Sequence, residues 1–320
     1  MPIKQQKIIA GEKPVRKYIL KRLGLMVLTL FMVLLLTFII MHAVPGGPYT
    51  SQKKLPEAIE AALNEKYKLN DPLYKQFFDY LMGVLRFDLG PSFKYEALSV
   101  NDLIMQGFPT SATLGLLSMC FILLVSIPLG VFAALKNNKW QDTLLMFFST
   151  LGVTVPSFVV SSLLLYFFAL KLGWFPVFGV DSWKGYVLPA IALSGFTLAF
   201  ITRLMRSSLL EVMGQDFIRT ARSKGLSEPG IVIKHGMRNA MIPVITILGP
   251  MFASLLMGSF VVEKIFALPG MGRHFVQSIT NRDYTAIMGF TLFYATILVG
   301  IIFIVDILYC LIDPRIKLDD

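Results

Sequence analysis

Long apolar stretches separated by short polar ones dominate the chain. The first, LKRLGLMVLTLFMVLLLTFIIMHA, covers 20–43, and five more follow near 111–135, 143–170, 186–205, 241–262 and 287–312. A helix crosses a bilayer with roughly 20 apolar residues, so each run is long enough. Backbone groups inside a bilayer find no water, which predicts helices rather than open strands. Pro189 and Gly195 interrupt the fourth run. Pro128, Pro156 and Pro250 fall inside the second, third and fifth. Each proline removes a backbone hydrogen bond and tends to kink its helix, so these three are candidate gating positions.

Composition supports this reading. Only 16 % of the 320 residues are charged, against about a quarter in soluble domains, and mean hydropathy is +0.66. The first run is longer than the apolar part of a secretory leader, and Val44-Pro45-Gly46-Gly47 makes a poor cleavage site, so a retained helix is predicted. Cys120 and Cys310 lie within predicted spans and lack neighbouring ligands, as buried apolar thiols would.

Charge then orients the spans. With the N-terminus inside, segments 1–22, 136–142, 203–240 and 313–320 carry eighteen Lys and Arg, while 171–186 and 263–286 carry five. The long stretch between the first two spans is discounted, because long loops cross largely regardless of charge. Both termini are therefore expected in the cytoplasm. The net charge of +10 then belongs to topology and to the anionic lipid of the bilayer, not to nucleic acid.

The expected organisation is a cytoplasmic tail (1–19), a first transmembrane helix (20–43) and an extracellular helical segment (44–110). A core of five transmembrane helices (111–312) with a cytoplasmic loop at 206–240 follows, then a cytoplasmic tail (313–320). Within the extracellular segment, Leu55, Ile59 and Leu63 lie four apart, one face of a short helix, and LYKQFFDYLMGVL (73–85) reads as a second. Such a cap suits either an external partner or packing on the spans.

Chemistry of its own is hard to find in the chain. There is no GxxxxGK[ST], HExxH or GxSxG, and His42, His235 and His274 are far apart. No catalytic, cofactor or metal site is predicted. Asp306 lies within the last span and reads as a capped or interfacial carboxylate rather than a proton relay. A proton-coupled carrier would be expected to bury more charge.

One polar interruption has shape. In FIRTARSKGLSEPG (217–230) a helical run continuing from the fourth span through Phe217 and Ile218 stops at Gly225, which can turn left-handed past a helix end. Arg222 and Lys224 suit the negative end of that helix. Ser227 is an N-cap candidate, with Glu228 and Pro229 opening a second helix. Thr220, Ala221 and Gly225 are small enough for another backbone to approach.

This segment resembles the EAA loop of membrane subunits of ATP-binding-cassette importers, with Arg219-Thr220-Ala221 and Gly225 at the Glu-Ala-Ala and Gly positions. Arg-Thr departs from the general pattern, yet RTARSKGLSE is similar to the variant of the peptide-permease branch. HAVPGGPY, LNDPLYKQF, FDLGPSF, KLGWFPVFG, RNAMIPV, EKIFALPGMGR, RDYTAIMG and DPRIKL resemble that branch in order along the chain.

The chain is thus similar to B-type permease subunits of oligopeptide and dipeptide importers. The resemblance implies an all-α membrane protein of the type I importer fold, with six helices, in a bacterial plasma membrane. It also implies a second, C-type permease subunit, two ATPase subunits that bind ATP and Mg, and an external solute-binding protein delivering a peptide. Arg219, Thr220, Ala221, Arg222, Lys224, Gly225, Leu226, Ser227, Glu228 and Pro229 would then meet an ATPase subunit. Oligopeptide is the expected cargo, with dipeptide, glutathione or a nickel chelate as alternatives.

Overall fold

Five of the six apolar runs lie in helical segments at least as long as the bilayer requires, and the third is broken in two. In a computed structural model, residues 12–44, 64, 65, 68–95 and 97–312 are described, with side chains from residue 19 to 307 within those ranges. The helix expected over 55–67 lies outside them, apart from Asn64 and Glu65, which are helical. The elements are α1 (Glu12–Ala43), α2 (Leu73–Leu85), α3 (Val100–Leu135), α4 (Trp140–Thr154), α5 (Ser157–Leu164), α6 (Lys184–Met213), α7 (Asp216–Ser223), α8 (Glu228–Gly230), α9 (Met237–Leu256), α10 (Phe260–Ile265), α11 (Met271–Asn281) and α12 (Tyr284–Ile312). A π-helical stretch, Leu165–Lys171, prolongs α5, and another, Ile231–Gly236, joins α8 to α9.

Five helical segments among the described residues are long and apolar enough to cross a membrane, and the bent pair α4–α5 makes a sixth. The second span starts at Val100 rather than 111. Ser99 explains this: its hydroxyl accepts the Asp102 N–H at 3.1 Å while the Asp102 carboxylate accepts the Ser99 N–H at 2.9 Å, a reciprocal cap that starts the helix early.

Helices α3 and α6 form the centre. A Cβ on Gly130 would lie 2.7 Å from both the Cβ of Met205 and the carbonyl oxygen of Thr202, so only glycine lets these helices approach so closely. Around that contact, Met119 and Ile122 of α3, Ile201, Met205 and Leu209 of α6, and Ala240 and Val244 of α9 form one buried cluster. Helix α1 lies against α12, and Arg22 pairs with Asp306 at 3.3 Å. The intramembrane carboxylate thus has a cation from a neighbouring helix, which no local sequence pattern could reveal.

At the opposite end of α1, Phe77 of α2 is buried among Leu34, Phe38, Met41, Met288 and Leu292. Helix α2 therefore caps the α1–α12 pair. The adjoining segment is held by Asp283, whose carboxylate accepts hydrogen bonds from the Ser92 hydroxyl and from the backbone N–H groups of Phe93 (3.2 Å) and Ala286 (3.1 Å). Cys120 is exposed on α3, not buried, because the α6-facing positions are taken by residues such as Ser118 and Met119. Cys310 lies beyond the described side chains.

Of the three prolines singled out, one breaks its helix. Pro128 and Pro250 lie inside continuous α3 and α9. At Pro156 the chain bends by 104°. Val155, just before it, takes the extended conformation (ψ 121°) that the proline ring imposes on its predecessor. Thr150 and Thr154 back-bond to the carbonyls of Met146 and Thr150, each at 2.8 Å, a pattern that also bends helices.

Candidate functional site

The segment 214–236 sits at the end of the bundle that also carries the α3–α4 turn. The helical run predicted to continue from the fourth span through Phe217 and Ile218 is broken instead: α6 ends at Met213, and Gln215 is extended (ψ 153°) before α7 starts at Asp216. The break has a packing cause. It swings α7 so that Ile218 and Ala221, three residues apart on one helix face, bury against Ile231 and Met213. An uninterrupted helix would carry Ile218 away into water.

The α7 terminus follows the predicted chemistry. Gly225 is left-handed (φ 77°). Its N–H donates to the Arg222 carbonyl at 2.9 Å, and the Leu226 N–H reaches back to Ala221 at 3.4 Å. These two bonds make a Schellman motif, which satisfies carbonyls that a helix end otherwise leaves bare. No neighbour lies within 4 Å of a Cβ built on Gly225, so glycine is needed there for its backbone conformation alone.

The restart is built differently from the prediction. Ser227 stands at the N-cap with extended backbone, but its hydroxyl makes no capping bond. Its carbonyl accepts the Ile231 N–H at 2.9 Å. Closure comes from Arg222, whose Nε donates to Glu228 Oε1 at 2.8 Å and whose Nη2 donates to Oε2 at 3.3 Å. This forked ion pair bridges the turn from the last turn of α7 to the first residue of α8. Arg219 pairs with Asp216 at 3.6 Å within α7, and the Thr220 hydroxyl donates to the Asp216 carbonyl at 3.1 Å.

Of the ten residues predicted to meet a partner, all but Ala221 are exposed. Ala221 is 6 % exposed and supports the turn from beneath. The close approach expected at Ala221 is made by the chain's own Ile231, because helical spacing puts residue 221 on the face of Ile218. Phe217, Leu226 and Ile233 add exposed apolar surface beside the charged residues. From the turn, Ile231, Val232 and Gly236 pack down onto the end of α6, where a Cβ on Gly236 would lie 3.1 Å from Leu209 and 3.2 Å from the Met213 sulfur. The turn is therefore continuous with the central cluster.

The opposite end holds a second built loop that the sequence concealed. Between α9 and α11, Glu263 is 0 % exposed. Its Oε1 accepts the Ser111 hydroxyl at 2.7 Å and its Oε2 accepts the Gly272 N–H at 3.0 Å. Ser111 in turn accepts the Met271 N–H at 2.9 Å. Gly258, Gly270 and Gly272 crowd the carboxylate, and a Cβ on any of them would lie less than 3.0 Å from one of its oxygens. The signal was present as three glycines near one acid in MGSFVVEKIFALPGMG, but a charge in a loop reads by default as solvated.

Comparison with known proteins adds to this geometry. Residues 126–318 match the family of the binding-protein-dependent transport system inner membrane component. The dipeptide transport system permease protein DppB of Bacillus subtilis is 46 % identical over 302 residues, covering 94 % of this chain and 98 % of the relative. The oligopeptide transport system permease protein OppB of Haemophilus influenzae is 44 % identical over 306 residues, covering 94 % and 99 %. Among solved structures, an amino acid ABC transporter crystallised with histidines aligns with a TM-score of 0.50 at 18 % identity, over 65 % of this chain and 93 % of that one. The methionine ABC transporter MetNI in an inward-facing form gives the same TM-score at 17 % identity, over 66 % and 94 %. At that identity the two structures speak to the fold alone.

Proposed function

We propose, from the premise that this chain belongs to the binding-protein-dependent inner-membrane transport family and is a permease subunit of a peptide-class ABC importer, that it moves oligopeptides under the control of its 216–230 turn. The observation that carries this reading is the turn itself. It is shaped by a Schellman motif, bridged by Arg222–Glu228, exposed at its tip and packed at its base on the central helices. A turn passes on displacement only if it is stiffer than the contact that pushes it.

The chain carries no phosphate-binding loop, so the driving energy comes from another subunit. In this reading the turn faces the cytoplasm, as the excess of Lys and Arg on that end favours, with both termini on the same side. Closure of an ATPase pair around ATP and Mg moves the turn, and the turn moves the inner ends of α6 and α9. The bend at Pro156, together with Pro128 and Pro250, lets the helices tilt and opens the path outward to an external solute-binding protein. The peptide passes between this chain and a second permease subunit, and hydrolysis resets the cycle. This chain does no covalent chemistry.

Oligopeptide rather than dipeptide is the narrower part of the proposal, since both kinds of relative align with 94 % of the chain. The test is reconstitution in liposomes with the second permease, the ATPase subunits and the binding protein, using tritiated dialanine and pentaalanine as probes. Uptake of pentaalanine that requires ATP supports the reading. Uptake of dialanine alone rejects the oligopeptide assignment, and uptake driven by a pH gradient without ATP rejects the importer mechanism.

A further inference from the structure

The α3–α4 turn is gripped by α6 through an ion pair of unusual completeness. Asp142, in the first turn of α4, is 3 % exposed. The Arg206 fork of α6 donates from Nε to Asp142 Oδ1 and from Nη2 to Oδ2, both at 2.6 Å. The same Nη2 donates to Asn137 Oδ1 at 2.9 Å, and the Asn138 N–H donates to Asp142 Oδ2 at 3.0 Å. Asn138 is left-handed (φ 61°), which bends the short turn so that both donors converge on one carboxylate.

Burying such a pair adds little net stability, because desolvation of both charges offsets their attraction. What a two-pronged pair does fix is orientation, as both distances must hold at once. The orientation fixed here is that of α4 on α6. Farther along, the Arg203 Nη2 donates to the Thr150 hydroxyl at 3.0 Å, and a Cβ on Gly152 would lie 3.1 Å from the Ala199 Cβ. Helix α4 is thus held to α6 from Asp142 to Gly152, two residues short of the 104° bend, and beyond it Val160 and Leu164 of α5 pack at the Leu188 and Ala192 end of α6. On the other side of Arg206, Leu209 and Met213 carry the base of the 216–230 turn.

We propose that Asp142 and Arg206 are positioning residues that clamp α4 to α6, so that displacement of the 216–230 turn is delivered to the bend at Pro156. The proposal rests on the coupling role given to that turn above. Without the clamp, α6 moves and α4 lags, and ATP is hydrolysed without opening the path.

The experiment uses the reconstituted complex with tritiated pentaalanine and dialanine, reading ATP hydrolysed per peptide taken up. Asp142→Asn and Arg206→Met are expected to raise that ratio roughly tenfold in complexes that still assemble. The reversed pair, Asp142→Arg with Arg206→Asp, should bring the ratio part of the way back. A purely structural role would lower assembly, hydrolysis and uptake together and leave the ratio unchanged, and that result overturns the proposal. If the single variants do not assemble, the uncharged pair Asp142→Leu with Arg206→Met decides: a normal ratio overturns the clamp, a raised one supports it. Failure of the clamp leaves ATP-driven uptake by the unaltered complex intact. An unaltered complex that takes up peptide without ATP removes the coupling reading itself, and the clamp with it.

Discussion

The two ends of this bundle each interrupt a helical run with a glycine-containing loop around an acidic residue, and the two loops are built on opposite plans. At 216–230 the acid, Glu228, lies in the open with Arg222, and Gly225 has empty space around it. At 257–272 the acid, Glu263, is fully enclosed and three glycines press on it. The first loop leaves its polar tip uncovered, as the coupling role proposed for it requires. The second satisfies its polar groups internally and is finished as it stands. The same residue types therefore predict different consequences when altered.

The largest effect is expected at the enclosed acid. Glu263→Ala strands the Ser111 hydroxyl and the Gly272 N–H and leaves a cavity, which costs about 3 kcal/mol. Thermal unfolding of the purified chain in detergent should show a clear fall in midpoint, and Ser111→Ala a smaller one. An unchanged midpoint for Glu263→Ala would erase the contrast between the ends, since it would mean that the buried carboxylate organises nothing.

A smaller stability effect, with a larger functional one, is expected at Gly225. Valine there must hold a left-handed backbone at a cost of about 1–2 kcal/mol, with no neighbour to clash against. Asparagine tolerates the same conformation. Gly225→Val should therefore weaken peptide uptake relative to ATP hydrolysis while the complex still assembles, and Gly225→Asn should behave close to the unaltered chain. Equal loss in both variants would mean that a partner fills the space at Gly225, and the conformational account would fail.

What could be read from the sequence divides along the same line. The six spans were legible because burial in a bilayer demands long apolar runs, and the stop at Gly225 because a left-handed helix end needs glycine. The bend was legible at Pro156, where Val155 is also forced out of the helix. The same signal stood at Pro128 and Pro250, whose helices continue, and nothing in the local sequence separates the three. The break at Gly214–Gln215 was hidden, because Leu210, Phe217 and Ile218 keep helical spacing across it. The burial of Glu263 and of Ala221 was hidden for a common reason. Their burial is decided by residues distant in sequence or across a turn, Ser111 for one and Ile231 for the other. Contacts of that kind, like Arg22–Asp306 and Arg206–Asp142, leave no local pattern.

The smallest effect should come from the exposed pair, and it tests whether Arg222–Glu228 makes the turn or only trims it. Both side chains stand in solvent, where an ion pair is screened and contributes little. The Schellman bonds from Gly225 and Leu226 and the contact of Ile218 and Ala221 with Ile231 remain when the pair is removed. Glu228→Gln should therefore leave the unfolding midpoint unchanged. Hydrogen exchange at the Leu226 N–H, whose bond to Ala221 spans the turn, should quicken by about twofold. Added salt should bring the unaltered chain toward the same exchange rate, because screening and neutralisation remove the same attraction. Exchange that rises a hundredfold would assign the shape of the turn to its surface charges. The 216–230 loop would then depend on its acid as heavily as the 257–272 loop does, and the comparison between the two ends would collapse.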